Sequence, residues 1–133
     1  MAEVVRVAIR SDTDIVMVRQ QARVLAKELG FSASDLTLIA TALSELARNI
    51  VDYAGQGEII LSLINQGGHR GLVIIARDNG LGITDIERAM QDGYSTGKGL
   101  GMGLPGTRRL MDEFEISSGV GQGTTVKVTK WAR

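Results

Sequence analysis

The sequence predicts a two-layer α/β sandwich with its helices on one face of a sheet, and three observations carry this. Apolar patterns run in the order β-α-α-β-β-α-α-β-β, so helices collect between sheet segments and do not alternate singly with strands as a doubly wound fold requires. Two pairs of strand-like runs are each joined by a glycine-containing turn, as in hairpins. The whole chain, 1–133, reads as a single domain, long enough for a core without disulfide or metal staples.

Val4 to Ile9 is the first strand, with Val5, Val7 and Ile9 on one face. Ser11 followed by Asp14 is a capping signal, and Ile15, Val18, Ala22, Leu25, Ala26 and Leu29 keep helical spacing until Gly30 stops the run. Ser32 followed by Asp35 opens a second helix with the apolar stripe Leu36, Ile39, Ala40, Leu43, Ala47 and Ile50. At about 100° per residue, Glu45, Asn49 and Asp52 fall together on the side away from that stripe, with Arg48 at its margin. Such a face is ordinarily solvated, but a carboxylate and a carboxamide at i and i+4 can also reach one ligand.

Glu58 to Ile64 and Gly71 to Ala76 are strands joined by the loop 65–70, where the single histidine, His69, sits as a surface residue. Thr84 with Glu87 forms a capping box for a helix through Met90. The next helix, from Leu104, turns Leu104, Leu110 and Met111 inward and Arg108 and Arg109 outward. Phe114 to Ser117 and Thr124 to Lys130 close the sheet around the turn Gly121-Gln122-Gly123, with Val126 and Val128 on one face and Lys127 and Thr129 on the other.

The stretch from Asp78 to Gly106 holds eight of the 17 glycines, which marks it as the place where backbone must approach something closely. Leu72 to Ala76 is a continuous apolar run, as in a strand covered on both faces, and it ends in Arg77-Asp78. A carboxylate at that rim can pair with a ligand's amino group, and Asn79-Gly80 and Leu81-Gly82 leave room for a flat ring. Gly97, Gly99, Gly101 and Gly103 alternate in a loop able to turn several N–H groups toward one anion. Pro105 then suits the first turn of a helix whose positive end points at the same place. Together these features suggest a phosphate-bearing ligand under a glycine-rich lid. The pattern is neither a P-loop nor a dinucleotide fingerprint, because no G-x-x-x-x-G-K-[ST] occurs and the glycines follow a helix. A lone glycine-rich loop would otherwise be only a flexible connection.

Fifteen basic and fifteen acidic residues balance to zero net charge, which argues against a nucleic-acid surface or an anionic-membrane patch. Without cysteine there is neither a disulfide framework nor a thiolate ligand or nucleophile. No basic-then-apolar leader occurs, and no apolar run nears the ~20 residues needed to cross a bilayer. These features lead us to expect a cytoplasmic protein.

Four segments match a known family in order. Glu45-Leu46-Ala47-Arg48-Asn49 resembles the N box of the GHKL ATPase/kinase superfamily, and Asp78-Asn79-Gly80-Leu81-Gly82 its G1 box. Gly97 to Leu104 is similar to the G2 box and lid, and Gly121-Gln122-Gly123-Thr124 to the last glycine-containing box. The resemblance covers essentially the whole chain. Through Tyr53-Ala54-Gly55 and the segment from Leu104 to Phe114, it is greatest to the serine/threonine switch kinases of bacterial stressosome partner-switching modules.

The resemblance implies a Bergerat fold, with a mixed, mainly antiparallel sheet and a glycine-rich ATP lid. It implies ATP and Mg²⁺, with Asn49 holding the metal and binding nucleotide through it, and Glu45 as the catalytic base toward a substrate hydroxyl. Asp78 would accept from the adenine amino group, Gly80 and Gly82 would let the ring approach, and Thr124 would complete the adenine contacts. Gly99, Gly101 and Gly103 would cradle phosphates and Lys98 would neutralise charge. Leu100, Met102 and Leu104 complete the nucleotide-binding segment, and Arg48, Ser95 and Thr96 lie at the pocket's edge.

Implied partners are STAS-domain antagonist or scaffold proteins as substrates and the N-terminal region of a PP2C-type phosphatase; neither nucleic acid nor membrane is expected. Two other functions stay open. One is a nucleotide-dependent anti-sigma factor whose partner is a sigma factor. The other is the catalytic domain of a histidine kinase, which fares worst because no dimerisation helix pair carries a phospho-accepting histidine.

Overall fold

The computed structural model describes residues 4–80, 103–119 and 123–132. Strand β1 (Val4–Ile9) leads to helices α1 (Asp12–Glu28) and α2 (Ala33–Asn49), then to a π-helical turn (Ile50–Ala54). Strands β2 (Gly57–Gln66) and β3 (His69–Asp78), helix α3 (Gly103–Leu110) and strands β4 (Glu113–Gly119) and β5 (Gly123–Trp131) follow. The predicted helix from Thr84 to Met90 and the run Tyr94-Ser95-Thr96 lie outside the described residues.

The five strands form one sheet in the order β1-β2-β3-β5-β4, and each of these four pairings is antiparallel. Between β1 and β2 the chain reverses through two helices, which returns it antiparallel; a single crossover helix would have given a parallel pair. The mainly antiparallel α/β architecture expected from the sequence is therefore found.

Ser11 occupies the N-cap of α1, but its side chain makes no capping bond. Asp14 Oδ2 instead accepts from the Arg10 backbone N–H at 2.8 Å, which ties the chain entering α1 to its first turn. At α2 the expected cap is present, with Ser32 Oγ accepting from Asp35 N at 3.1 Å. The stripe Ile15, Val18, Ala22, Leu25 and Ala26 of α1 is buried, as are Ile39, Ala42, Leu43, Leu46 and Ala47 of α2. These meet Ile59, Leu61, Leu72, Ile74, Val126 and Val128 from one face of the sheet. Among the described residues no helix is long and apolar enough to cross a membrane.

The β2–β3 loop is tighter than the sequence suggested. Both strands run on to a two-residue turn, Gly67-Gly68, with φ of 59° and 85°. Positive φ at both central residues is the hairpin turn whose twist matches the strands, and glycine adopts it without strain.

Candidate functional site

The C-terminal ends of α2 and β3 and the start of β5 meet at one end of the sheet. In the antiparallel register Asp78 stands opposite Gly57 on β2 and Thr124 on β5. The Asp78 carboxylate is half-buried, and its Oδ1 accepts from two backbone amides, Gly80 N at 2.9 Å and Thr124 N at 3.3 Å. Among the described residues Oδ2 makes no hydrogen bond, so half of the carboxylate's accepting capacity remains for another molecule.

Two glycines are required by this geometry. Gly123 has φ of 77°, and a Cβ there would run into the Asp78 carbonyl oxygen, so the start of β5 can lie this close to Asp78 only without a side chain. At Gly80 a Cβ would sit 2.9 Å from the Ala54 Cβ and 3.2 Å from Asp78 Oδ1. The π-helical turn thus packs directly on the chain leaving β3, and it draws the end of α2 toward Asp78.

Glu45 and Asn49 lie one turn apart on the last stretch of α2. The face that holds Glu45, which would ordinarily be solvated, is covered here, and Glu45 is only 4% exposed. The reason is that α2 packs on α1 along one side, on the sheet beneath and on α3 along the other, so its covered arc is wider than its apolar stripe. Glu45 also lines, with Arg48, the cleft of about 820 Å³ between α1 and α2. Asp52 does not continue the row: it belongs to the π-helical turn, where the wider winding carries it to the exposed surface. Asn49 is half-buried, and its carboxamide makes no hydrogen bond among the described residues.

Gly103 begins α3, and Leu104 in its first turn is 7% exposed, buried against the core as expected. Arg108 and Arg109 are exposed and Met111 is buried. Gly82, Lys98, Gly99, Leu100, Gly101 and Met102 lie outside the described residues, as does the turn at Gly121-Gln122. The structure therefore brings Asp78, Gly80 and Thr124 into one bonded cluster, with Glu45 and Asn49 on the adjoining helix.

Ser118 was missed by sequence reasoning. Its Oγ donates to the Gly123 carbonyl at 3.0 Å and lies 2.9 Å from Thr124 Oγ1. The available signal was alternation, since Phe114, Ile116 and Ser118 share a strand face, but the expected strand ends at Ser117, two residues short of Gly119. Among the described residues no group of three or more His, Cys, Asp or Glu side chains could hold a metal ion. A cation bound here would need ligand oxygens and water beside Asn49, which fits the few protein ligands that Mg²⁺ takes at phosphate sites.

Residues 10–130 match the family model described as the histidine kinase-like ATPase domain. The chain is 53% identical over 127 residues to the serine/threonine-protein kinase RsbT of Bacillus subtilis, covering 96% of each protein. It is 33% identical over 111 residues to the anti-sigma F factor of a Thermoanaerobacter strain, covering 80% of this chain and 77% of that one. A crystal structure of the RsbU and RsbW domains of a Mycobacterium tuberculosis protein superposes on all of this chain with a TM-score of 0.65 at 23% identity, which shows the shared fold; this chain spans 33% of that longer one. By the extent of these matches and the fold they share, the chain belongs to the histidine kinase-like ATPase domain family.

Proposed function

We propose that this ATP-dependent serine/threonine protein kinase transfers the γ-phosphoryl group of ATP to a hydroxyl of a STAS-domain antagonist, within a cytoplasmic partner-switching module of the bacterial stress response. The observation that carries the nucleotide reading is the half-satisfied carboxylate of Asp78. Its Oδ1 is fixed by two backbone amides, and Oδ2, which makes no hydrogen bond among the described residues, can accept from an exocyclic amino group.

In this reading Asp78 and Thr124 hold the adenine, Gly80 and Gly82 permit its approach, and the segment from Lys98 to Leu104 encloses the phosphates. Asn49 offers a hard carboxamide oxygen to Mg²⁺, which when bound neutralises phosphate charge. Glu45 accepts the proton of the substrate hydroxyl as that oxygen bonds to the γ-phosphorus and the bond to the ADP oxygen breaks. Phosphoryl transfer asks chiefly for positioning and charge stabilisation, so this short list of groups suffices.

The N-terminal region of a PP2C-type phosphatase is the second proposed partner. A transferred phosphate carries ≈ −1.5 to −2 charges. Placed beside Glu45 and ADP it repels the product and frees the kinase for that phosphatase. The test is incubation with Mg·ATP and candidate STAS proteins, with the phosphate located by mass spectrometry. A phosphoserine or phosphothreonine on one STAS protein is expected; no transfer to any cognate STAS protein would overturn the substrate assignment.

The similarity to anti-sigma F factors supports a second reading, in which the protein also sequesters a sigma factor. Capture of a sigma factor and not of a STAS protein from the same mixture would favour it.

A further inference from the structure

We infer that Ser118 is a positioning residue for nucleobase selection: it sets the direction of the Thr124 hydroxyl so that only lone pairs face the nucleotide. The inference rests on the reading of Asp78 and Thr124 as the adenine site.

Three oxygens form a short chain. Ser118 Oγ donates to the Gly123 carbonyl at 3.0 Å, and Ser118 Oγ and Thr124 Oγ1 are 2.9 Å apart. A carbonyl can only accept, and a serine hydroxyl has one proton. Once that proton lies on the Gly123 carbonyl, the contact between the two hydroxyls is made by the Thr124 proton pointing at Ser118. The chain therefore has one direction, from Thr124 to Ser118 to Gly123.

Thr124 stands directly opposite Asp78, on the same sheet face, with its own amide fixed on Asp78 Oδ1. With its proton turned away toward Ser118, its oxygen is an acceptor toward the pocket. Asp78 Oδ2 is an acceptor too. Two acceptors side by side suit a 6-amino purine, whose exocyclic nitrogen carries two N–H donors. They oppose a 6-oxo purine, which presents a third acceptor to them. Leaving polar groups mispaired in this way is how a site rejects an analogue more strongly than shape alone allows. The backbone helps to keep the direction, because Gly123 can adopt its φ of 77° and approach Asp78 only as glycine, and this holds its carbonyl under Ser118.

Replacing Ser118 removes the acceptor that holds the Thr124 proton, so the hydroxyl can rotate and donate to a 6-oxo group. The experiment is calorimetric titration of the full chain with Mg·ATP and Mg·ITP, for the wild type, Ser118→Ala, Ser118→Cys, Ser118→Thr and Asp78→Asn, with melting midpoints recorded in parallel. We expect the wild type to prefer ATP. We expect Ser118→Ala and Ser118→Cys to lower the ATP-to-ITP affinity ratio by about tenfold. Ser118→Thr, which keeps the hydroxyl, should restore the ratio, a result that simple loosening of β4 would not give.

Should Ser118→Ala not fold, the near-isosteric Ser118→Cys decides. A wild-type ratio in the Ala and Cys variants, with Asp78→Asn losing its preference, overturns the role of Ser118 and leaves the adenine site standing. Equal affinity of the wild type for the two nucleotides, or an Asp78→Asn variant with unchanged affinity and ratio, overturns the adenine site and this inference with it.

Discussion

Asp78 and Lys130 sit at opposite ends of the two central strands, on the same helix-covered face, and the protein treats their charges differently. Lys130 pairs in register with Leu72, at the far end of β3 from Asp78. Its side chain is 9% exposed; its Nζ donates to the Leu110 carbonyl at 3.1 Å and lies 3.7 Å from Asp112 and 4.0 Å from Asp35. One hydrogen bond and two longer ion pairs thus surround the ammonium, drawn from the end of α3, the turn before β4 and the start of α2. At Asp78 two backbone amides converge on one oxygen, and among the described residues the other makes no hydrogen bond. A buried charge surrounded by opposite charges of its own chain ties elements together, whereas a carboxylate bonded through one oxygen can receive a ligand at the other.

The contrast can be broken most sharply at the pocket end. Glu45→Ala should bind Mg·ATP nearly as the wild type does but transfer phosphate on the order of 10²–10⁴-fold more slowly. Wild-type transfer in a single-turnover assay would return Glu45 to a structural role beside α1. At the other end, Lys130→Met takes the Lys130 donor from the Leu110 carbonyl and removes the cation beside Asp35 and Asp112. It should lower unfolding free energy by about 3 kcal/mol in urea melts, while the folded protein keeps its ATP affinity. A variant that melts normally and loses ATP would reverse the assignment of the two ends.

Asp78→Asn is the complementary change. The asparagine oxygen can still accept from Gly80 and Thr124, but its amide now opposes the adenine amino group. ATP binding should weaken by roughly 1–3 kcal/mol in calorimetry, with little change in melting; an unaltered affinity would remove Asp78 from the site. The smallest effect is expected for Ser32→Ala. It deletes the cap of the turn that carries Asp35 to Lys130 and should cost about 1 kcal/mol of stability with no effect on transfer. A larger loss of activity than of stability would show that the two ends communicate through α2.

Sequence alone cannot separate Asp78 from Lys130. Each is a charge at the end of a strand-like run, and the difference lies in partners brought from distant parts of the chain. What was legible was local: the apolar stripes of α1 and α2, the Ser32 cap, and the order of glycine-containing boxes that marked the family. The burial of Glu45 was not legible because it comes from α1 and α3 closing over α2 from two sides, which the periodicity of α2 does not contain. The π-helical turn was invisible for a similar reason. Ile50–Ala54 has no composition that demands wide winding, and its packing against Gly80 is what the chain meets there. Ser118 escaped because a strand end is set by its partner, here Gly123 opposite Gly119, and not by its own residues.

The bond between Thr124 and Asp78 joins positions 46 residues apart, whereas the β2–β3 hairpin closes over two glycines. Local closure is fast, and distant closure must await the chain between. The hairpin is thus expected early in folding and the pocket only once β5 has docked along β3. A ligand that recognises the docked pair binds after the barrier is crossed, so Mg·ATP should slow unfolding and leave the refolding rate as it was. Stopped-flow refolding that quickens with Mg·ATP would place pocket assembly before the barrier. On the expected order, a newly made chain cannot engage nucleotide until β5 has docked along β3, however early the rest of the sheet has formed.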